Sequence, residues 1–277
     1  MHLVTHDDNG TETLGVLRDG HVHAVTGAAT MAELIETPGA LDKLTVAPEG
    51  TPLADVRLLA PLPRPRNVIC IGRNYREHAD EEGTETPAEP AVFLKTTTSV
   101  VGPGHDITWD PAYTAQVDYE AELAVIIGRT ARHVDESQAL SYVFGYTCLN
   151  DVSARDLQFG DLQWSRGKSL DTFCPMGPAL VTADEVADPQ SLDIRCVLNG
   201  TTVQEANTEV MYHSVAKIIA HCSRAFTLHP GDVIATGTPG GVGIFRDPPL
   251  LLGDGDEVVI EIDGIGRLVN RCRTEKA

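Results

Sequence analysis

The chain contains no apolar run that approaches the roughly 20 residues needed for a transmembrane helix. Its first residues, MHLVTHDDNG, also lack the basic segment and following apolar stretch that mark a secretory signal. These two absences predict a protein that is neither inserted in a membrane nor secreted. We therefore expect a cytoplasmic location.

Basic residues are few, with 21 Lys and Arg against 40 Asp and Glu, which leaves a formal net charge of -19. A surface this negative repels nucleic-acid phosphates and anionic lipid headgroups. We therefore expect no nucleic-acid partner and no membrane partner. Strong acidity also favours solubility, so the charge by itself requires no partner at all.

Cysteine pairs and familiar hydrolase motifs are also missing. No CxxC pair occurs, and a chain of 277 residues does not depend on a disulfide framework as small secreted domains do. We interpret the cysteines as reduced and mostly buried thiols, at positions 70, 148, 174, 196, 222 and 272. The absence of GxSxG and HExxH argues against a serine-hydrolase elbow and against a zincin.

What the chain does contain predicts two unequal parts. Residues 1–62 form a small module with alternating residues around Asp19-Gly20, which predict a β-hairpin, and a short helix over 31–36. A proline-rich connector, PLPRPRNV, leads into residues 66–277. The hydrophobic fraction of 42% is enough for a buried core.

The larger part, 66–277, is rich in short apolar runs that end at Gly or Asn. These predict strands, whereas residues 210–226 have the periodicity of a helix. The pattern favours an α+β, mostly β fold with a rolled sheet. The predicted strands are NVICIG, ELAVIIG, VFGYTCLN, IRCVLNG, DVIATG and EVVIEIDG.

Acidic residues at every second position open the run VDYEAELAVIIG. Asp118, Glu120 and Glu122 would share one face of a strand that continues into a core. Carboxylates that converge beside a core need a compensating cation, and Mg²⁺ or Mn²⁺ prefers such oxygen ligands. The alternative is an exposed acidic face on a half-buried strand. The stretch alone leaves both interpretations open.

Two further charged residues follow downstream. Asp151 comes directly after a predicted strand and supplies a fourth carboxylate, but it also suits a helix cap, with Ser153 and Asp156 in a loose capping box. Lys168 lies among turn residues, where a lysine is normally solvated. Each has an ordinary explanation when it is considered by itself.

The segment IGRNYREHADE brings a histidine close to a carboxylate. One helical turn would place His78 beside Glu81, and such a pair can activate water. The following stretch, EEGTETPAEP, has the composition of a surface loop that can act as a lid. An exposed histidine in an acidic loop is the alternative interpretation.

A glycine-rich loop, TPGGVG, follows the predicted strand VIATG. Its free backbone N–H groups, near Gly237 and Thr238, suit a carboxylate or a phosphate. It is neither a Walker motif nor a dinucleotide fingerprint, because the glycine and lysine spacings differ. Two other patterns, GDGDE at 253–257 and the pair His21 and His23, lack the ligands for a metal site.

Taken together and in order, several motifs resemble the fumarylacetoacetate hydrolase family over about residues 66–277. They are GRNYREHADE, FLKTTTSVVGPG, DYEAELAVIIG, GYTCLNDVSARDLQ, GKSLDTFCPMGP and PGDVIATGTPGGVG. The resemblance implies a β-roll catalytic domain behind the small N-terminal α/β module. It also implies a homodimer and a bound Mg²⁺ or Mn²⁺.

The resemblance also implies roles for individual residues. The metal ligands would be Glu120, Glu122 and Asp151, with Asp118 behind them, and the catalytic residues would be His78, Glu81 and Lys168. Substrate contacts would come from Arg73, Tyr75, Lys95, Gln158, Gly237 and Thr238. The loop FGDLQWSRG, between Asp151 and Lys168, is a few residues shorter than in some relatives and could reshape the pocket.

The implied reaction is hydrolysis of a C–C bond in a 2,4-dioxo acid, an acylpyruvate such as fumarylpyruvate. It would pass through a pyruvate enolate that the metal and Lys168 stabilise. Decarboxylation of oxaloacetate, or isomerisation or dehydration of a related 2-oxo acid, shares that enolate and is the alternative. A purely structural metal site is a third hypothesis, but such a site needs neither the His78–Glu81 pair nor Lys168.

Overall fold

The computed structural model describes residues 1–276, in which strand residues outnumber helical ones. The strands are β1 His2–Asp8, β2 Thr11–Arg18, β3 His21–Thr26, β4 Thr45–Pro52, β5 Val68–Gly72, β6 Ala91–Lys95, β7 Val100–Val101, β8 Asp106–Trp109, β9 Val117–Asp118, β10 Ala121–Ile127, β11 Val143–Asn150, β12 Ser153–Ala154, β13 Cys174–Thr182, β14 Asp193–Leu198, β15 Thr201–Asn207, β16 Val233–Ala235, β17 Glu257–Ile262 and β18 Gly266–Thr274. The α-helices are α1 Met31–Glu36, α2 Arg76–Glu81, α3 Arg155–Gly160, α4 Ser165–Lys168 and α5 Val215–Ala225. The predicted α+β, mostly β class is confirmed.

The strands form a large mixed sheet and two smaller sheets. The large sheet has the order β4-β3-β2-β1-β13-β11-β10-β16-β5-β6, and β7 pairs with β13 beside this path. The second sheet is β15-β14-β17-β18-β8, and a short ribbon joins β12 to β9. Because β1 pairs with β13, the N-terminal strands extend the large sheet. The division between residues 1–62 and 66–277 stays a prediction, since hydrogen bonds join the two parts.

Strand β10 lies between two hydrophobic clusters. Leu123, Val125 and Ile127 pack into one cluster, and Ala124 and Ile126 pack into the other. Successive residues of a strand face opposite sides, so both faces of β10 are covered. This explains why the run is continuously apolar rather than alternating. It also places the start of β10, with its acidic residues, in the interior of the protein.

The N-terminal hairpin matches its sequence signature. Asp19 and Gly20 connect β2 to β3 with φ angles of 49° and 74°, as a two-residue type I′ turn requires. The helix predicted over 210–226 is shorter than expected and begins at Val215. The reason is local, because the Ser214 side chain accepts the backbone N–H of Lys217 and caps the helix.

The cysteines are confirmed as buried free thiols. Within residues 1–276 none forms a disulfide, and all are buried: Cys70, Cys148, Cys174, Cys196, Cys222 and Cys272. Burial raises the pKa of Cys70, so this thiol stays protonated and unreactive. Across the same described range, we find no helix with both the length and the apolar character needed to cross a bilayer.

Candidate metal and active site

Three buried carboxylates converge at the start of β10. Glu120, Glu122 and Asp151 each offer an oxygen, and these oxygens lie within 4.8 Å of one another. Strand pairing brings them together, because Ala121 lies opposite Asn150 and the Asp151 N–H donates to the Glu120 carbonyl at 2.9 Å. The alternative of an exposed acidic face is wrong, since all three residues are buried.

The acidic stretch is not one continuous strand face, as the spacing by two predicted. β9 ends at Asp118 and pairs with β12, whereas β10 begins at Ala121 and pairs with β11. The break between these strands turns Asp118 away from the other carboxylates. Its side chain instead accepts the backbone N–H groups of Gly243 at 2.8 Å and Ile244 at 3.0 Å. Asp118 therefore fixes the glycine-rich loop.

Two buried lysines neutralise part of the cluster. Lys168 Nζ lies 2.7 Å from Glu120 Oε2 and 2.9 Å from Asp151 Oδ2. Lys95 Nζ contacts the other Asp151 oxygen at 2.5 Å. The ordinary explanation of Lys168 as a solvated side chain is wrong, because it is 2% exposed. The helix-cap explanation of Asp151 is wrong too, since α3 begins four residues later without a side-chain cap.

Close helix packing delivers Lys168 to the carboxylates. Helix α4 lies against α3 at Gly167, where an added Cβ would come within 2.6 Å of the Gln158 backbone nitrogen. No side chain fits in that space, so glycine is required for this approach. The next residue in α4 then points its ammonium group into the cluster.

Arg155, which the sequence analysis did not single out, connects the cluster to the glycine-rich loop. It is fully buried, and its Nε donates to Asp118 Oδ2 at 2.9 Å while its Nη1 lies 2.7 Å from Glu120 Oε1. Nη1 also donates to Gln158 Oε1 at 3.0 Å. In the sequence, Arg155 is distinguished only as a basic residue in a segment that also contains acidic residues. Two of its three acceptors, Asp118 and Glu120, lie more than 30 residues away in the sequence, so these contacts become evident only in three dimensions.

The carboxylates have different electrostatic environments. Burial by itself raises the pKa of Glu120, but Lys168 and Arg155 outweigh burial and lower it to about 2. Burial raises the pKa of Glu122 well above its ordinary value, and the charges of Asp151 and Glu120 raise it further. Glu122 is thus the carboxylate of the three whose charge is least compensated.

The donor set fits a divalent cation. When Asp118 is counted through its ion pair with Arg155, four buried carboxylates in and around the cluster face three buried cations: Asp118, Glu120, Glu122 and Asp151 against Lys95, Arg155 and Lys168. An added dication would turn this deficit into a positive charge suited to an anionic substrate. Carboxylate oxygens are hard ligands, of the kind that Mg²⁺ and Mn²⁺ prefer.

His78, a residue of α2, lies between the carboxylates of Glu81 and Glu82, which are at the C-terminal end of this helix. Its Nδ1 is 3.7 Å from Glu81 Oε2, and its Nε2 is 3.8 Å from Glu82 Oε1. The other Glu81 oxygen accepts the Gly241 N–H at 2.7 Å, and Glu82 accepts Arg73 Nε at 2.6 Å. The alternative of an exposed histidine is wrong, because His78 is 5% exposed. Glu82 was missed, although its i+4 spacing from the histidine is a detectable helical signal.

A small cavity joins the histidine to the carboxylates. Its volume is about 20 Å³, which is enough for one water molecule. Seven of the predicted site residues line it, namely Arg73, His78, Glu120, Glu122, Gln158, Lys168 and Thr238. Ile71, Gly72, Glu82, Phe93 and Trp164 complete its lining within the described part of the chain.

The other predicted site residues lie behind this lining. Tyr75 is 1% exposed within the core, and its buried hydroxyl has no hydrogen-bond partner among the described residues. Gly237 donates its N–H to Glu122 Oε2 at 2.7 Å, in a conformation with φ of 98° that favours glycine. Glu81 and Asp151 do not line the cavity, but each lies beside a residue that does, His78 and Lys168 respectively. Lys95 contacts Asp151.

Replacing Arg155 with methionine is expected to destabilise the metal-free protein. The substitution leaves the buried carboxylates of Asp118 and Glu120 without their shared partner, and such a loss costs about 3–5 kcal/mol. Urea unfolding of the two proteins gives this difference. Arg271→Met is the matched control, because Arg271 is exposed and its ion pair with Glu257 is worth at most about 1 kcal/mol. Equal effects of the two substitutions would contradict the role of Arg155.

Comparison with known proteins identifies close relatives. The family model described as "Fumarylacetoacetate (FAA) hydrolase C-terminal" matches residues 67–273. Human mitochondrial oxaloacetate tautomerase FAHD2A is 47% identical over 222 residues, which cover 79% of this chain and 70% of that protein. The name of the human protein describes a tautomerase of oxaloacetate in mitochondria.

Solved structures extend the similarity over the whole chain. A fumarylacetoacetate hydrolase from Exiguobacterium antarcticum is 40% identical with a TM-score of 0.87, covering 99% of this chain and 100% of that one. The 2-hydroxyhepta-2,4-diene-1,7-dioate isomerase from Mycobacterium marinum is 38% identical with a TM-score of 0.83, and both chains are covered completely. The N-terminal residues outside the family model therefore have structural counterparts as well.

Proposed function

This chain belongs to the fumarylacetoacetate hydrolase family of enzymes, and from that premise we propose that it interconverts the keto and enol forms of oxaloacetate. The observation that carries the proposal is the shared cavity, which His78 and Lys168 line together with Glu120 and Glu122. A proton acceptor and an anion-stabilising cation thus face the same small space. The similarity to oxaloacetate tautomerases supports this choice of substrate.

Binding of the metal ion and of the substrate would depend on charged side chains of the cluster and of the cavity wall. Glu120, Glu122 and Asp151 would hold Mg²⁺ or Mn²⁺. When bound, the cation would polarise the 2-oxo group of the substrate and acidify the neighbouring C–H bond. Arg73, at the cavity wall beside Glu82, is the group suited to the second carboxylate of a dicarboxylic acid.

Proton transfer falls to His78. Its imidazole would take a proton from C3 of the keto acid as the electrons of that bond move toward the 2-oxo oxygen; this oxygen would then take a proton from water to give the enol, and the imidazolium would return its proton to water. Burial opposes the charge of Lys168, but Asp151 and Glu120 raise its pKa, so it remains a cation that stabilises the developing negative oxygen. Glu81 and Glu82 stabilise the protonated imidazole.

The direct test is the rate at which enol oxaloacetate converts to the keto form, followed by ultraviolet absorbance. We expect added Mg²⁺ or Mn²⁺ to support catalysis, a chelator to abolish it, and fresh metal to restore it. Pyruvate is measured in the same samples. A conversion no faster than in the protein-free control would overturn the proposal, and pyruvate release that matches enol loss would indicate a decarboxylase instead.

Hydrolysis of acylpyruvates is the second candidate, and the His78–Glu81 pair favours it. The cavity has the volume of one water molecule, and His78 would take a proton from that water as its oxygen attacks the 4-carbonyl. The C3–C4 bond then breaks to give a carboxylic acid and the enolate of pyruvate. Metal-dependent pyruvate release from acetylpyruvate or fumarylpyruvate, faster than turnover of oxaloacetate, would favour this reaction.

Assembly and location are part of the same proposal. We expect a homodimer in the cytoplasm that binds neither nucleic acid nor membranes, as the family resemblance and the charge of -19 suggest. Light scattering on the purified full chain gives the mass of the assembly. A monomer at working concentration would contradict the dimer without affecting the proposed chemistry.

A further inference from the structure

Trp164 forms a wall of the active-site cavity that none of the expected roles accounts for. Its ring lies against the backbone of Gly72, where an added Cβ would come within 2.4 Å of Trp164 Cζ3. The ring meets Phe93 edge to face, with centroids 5.5 Å apart. The guanidinium carbon of Arg73 lies 5.2 Å from the centroid of the indole. Three neighbours on the end of β5 and on β6 thus hold the indole in place.

The position of this wall is fixed relative to Lys168. The carbonyl of Trp164 accepts the backbone N–H of Lys168 at 3.2 Å, so both residues belong to the same helical turn. Phe93 lies between them in space, because the Lys168 ammonium is 5.3 Å from its ring centroid. The turn of α4 therefore fixes the spacing of the two backbones, and Phe93 contacts both side chains. The span available to a substrate between them is set by the fold.

We propose that Trp164 limits substrate length and thereby selects compact 2-oxo acids over longer ones. This inference rests on the proposed function, because it assumes that a 2-oxo acid places its reacting end at the carboxylate cluster. On this proposal a four-carbon acid would end near Arg73 and Trp164, and each further methylene would press against the indole. Trp164 lines the same cavity as Lys168, Glu120 and Glu122, so its ring bounds the space in which such an acid would lie.

The wall also has the composition of a length filter. Gly72 and the rings of Phe93 and Trp164 give this side of the cavity a mainly apolar lining. Arg73 is the cation at this end; it is paired with Glu82 and would meet the second carboxylate of a short and of a longer diacid alike. A longer acid would need to displace an aromatic ring packed on backbone, which is much harder than moving a flexible side chain. Discrimination should therefore be steric and should depend on one residue.

The test measures binding rather than turnover. Mn²⁺-loaded wild type and Trp164→Ala are titrated calorimetrically with pyruvate, 2-oxoglutarate and 2-oxoadipate. We expect Trp164→Ala to improve the affinity for 2-oxoadipate, relative to pyruvate, by about tenfold or more, the scale of one or two methylenes in a shaped pocket. Trp164→Phe should give an intermediate ratio. Leu162→Ala is the matched control, because Leu162 lies on the same loop but is fully exposed.

The possible results distinguish a failure of the length filter from a failure of the proposed function. Unchanged relative affinities in both Trp164 variants would overturn the length filter while leaving the proposed function intact. A wild-type protein that binds Mn²⁺ but does not accelerate the tautomerisation of oxaloacetate would contradict the proposed function itself. Titration with Mn²⁺ alone shows whether each variant still binds the metal. If Trp164→Ala no longer binds Mn²⁺, the relative affinities of Trp164→Phe test the length filter instead.

Discussion

Replacing Glu122 with glutamine is expected to weaken metal binding by at least about 100-fold while leaving the metal-free fold as stable as before, or more stable, at neutral pH. Glutamine keeps an oxygen for the Gly237 N–H but removes a metal ligand. Burial, followed by the charges of Asp151 and Glu120, raises the pKa of the Glu122 carboxyl. The charged form therefore opposes folding, and this opposition grows as pH rises above the ordinary glutamate pKa.

The same substitution at Glu120 should have the opposite effect on stability. Glu120 is paired with Lys168 and Arg155, so Glu120→Gln leaves two buried cations poorly compensated. Calorimetric titration with Mn²⁺ and urea unfolding without metal measure both properties, and Glu49→Gln at an exposed position is the control. If Glu122→Gln bound Mn²⁺ as tightly as the parent protein, the proposed metal site would be wrong.

His78→Asn is expected to reduce turnover by about 10²–10⁴-fold, the usual contribution of a positioned proton acceptor. The affinity for Mn²⁺ should change little, because His78 is not one of the three oxygen ligands. Steady-state rates with the best substrate, together with Mn²⁺ titrations, separate the two effects. His21→Asn in the N-terminal hairpin is the control. A parental rate in His78→Asn would show that the proton goes elsewhere.

The sequence predicted the parts of the site that depend on local pattern. The hairpin at Asp19-Gly20 follows from turn chemistry. The apolar run of β10 and the acidic residues at its start are visible as composition. The meeting of Glu120 with Asp151 was implied only by family resemblance, because it depends on the register between β10 and β11. No spacing within a single strand defines that register.

The residues that escaped prediction act through contacts between distant segments. Arg155 matters because it reaches Asp118 and Glu120, and Trp164 matters because β5 and β6 pack against it. Glu82 looked like part of an acidic loop until the end of α2 placed it against Arg73. Contacts between segments far apart in the chain give each of these side chains its role, and such contacts are a property of the whole fold.

The pairing of β1 with β13 affects how this enzyme can be divided. His2 and Leu3 lie opposite Val181 and Leu180, so a fragment that starts at residue 66 would leave that stretch of β13 as an open edge. Leu3 also packs in a cluster shared with the large sheet, and its loss would expose apolar surface there. An exposed apolar edge recruits other chains. Residues 67–273, which the family model matches, are thus a smaller unit than the one that keeps this edge covered.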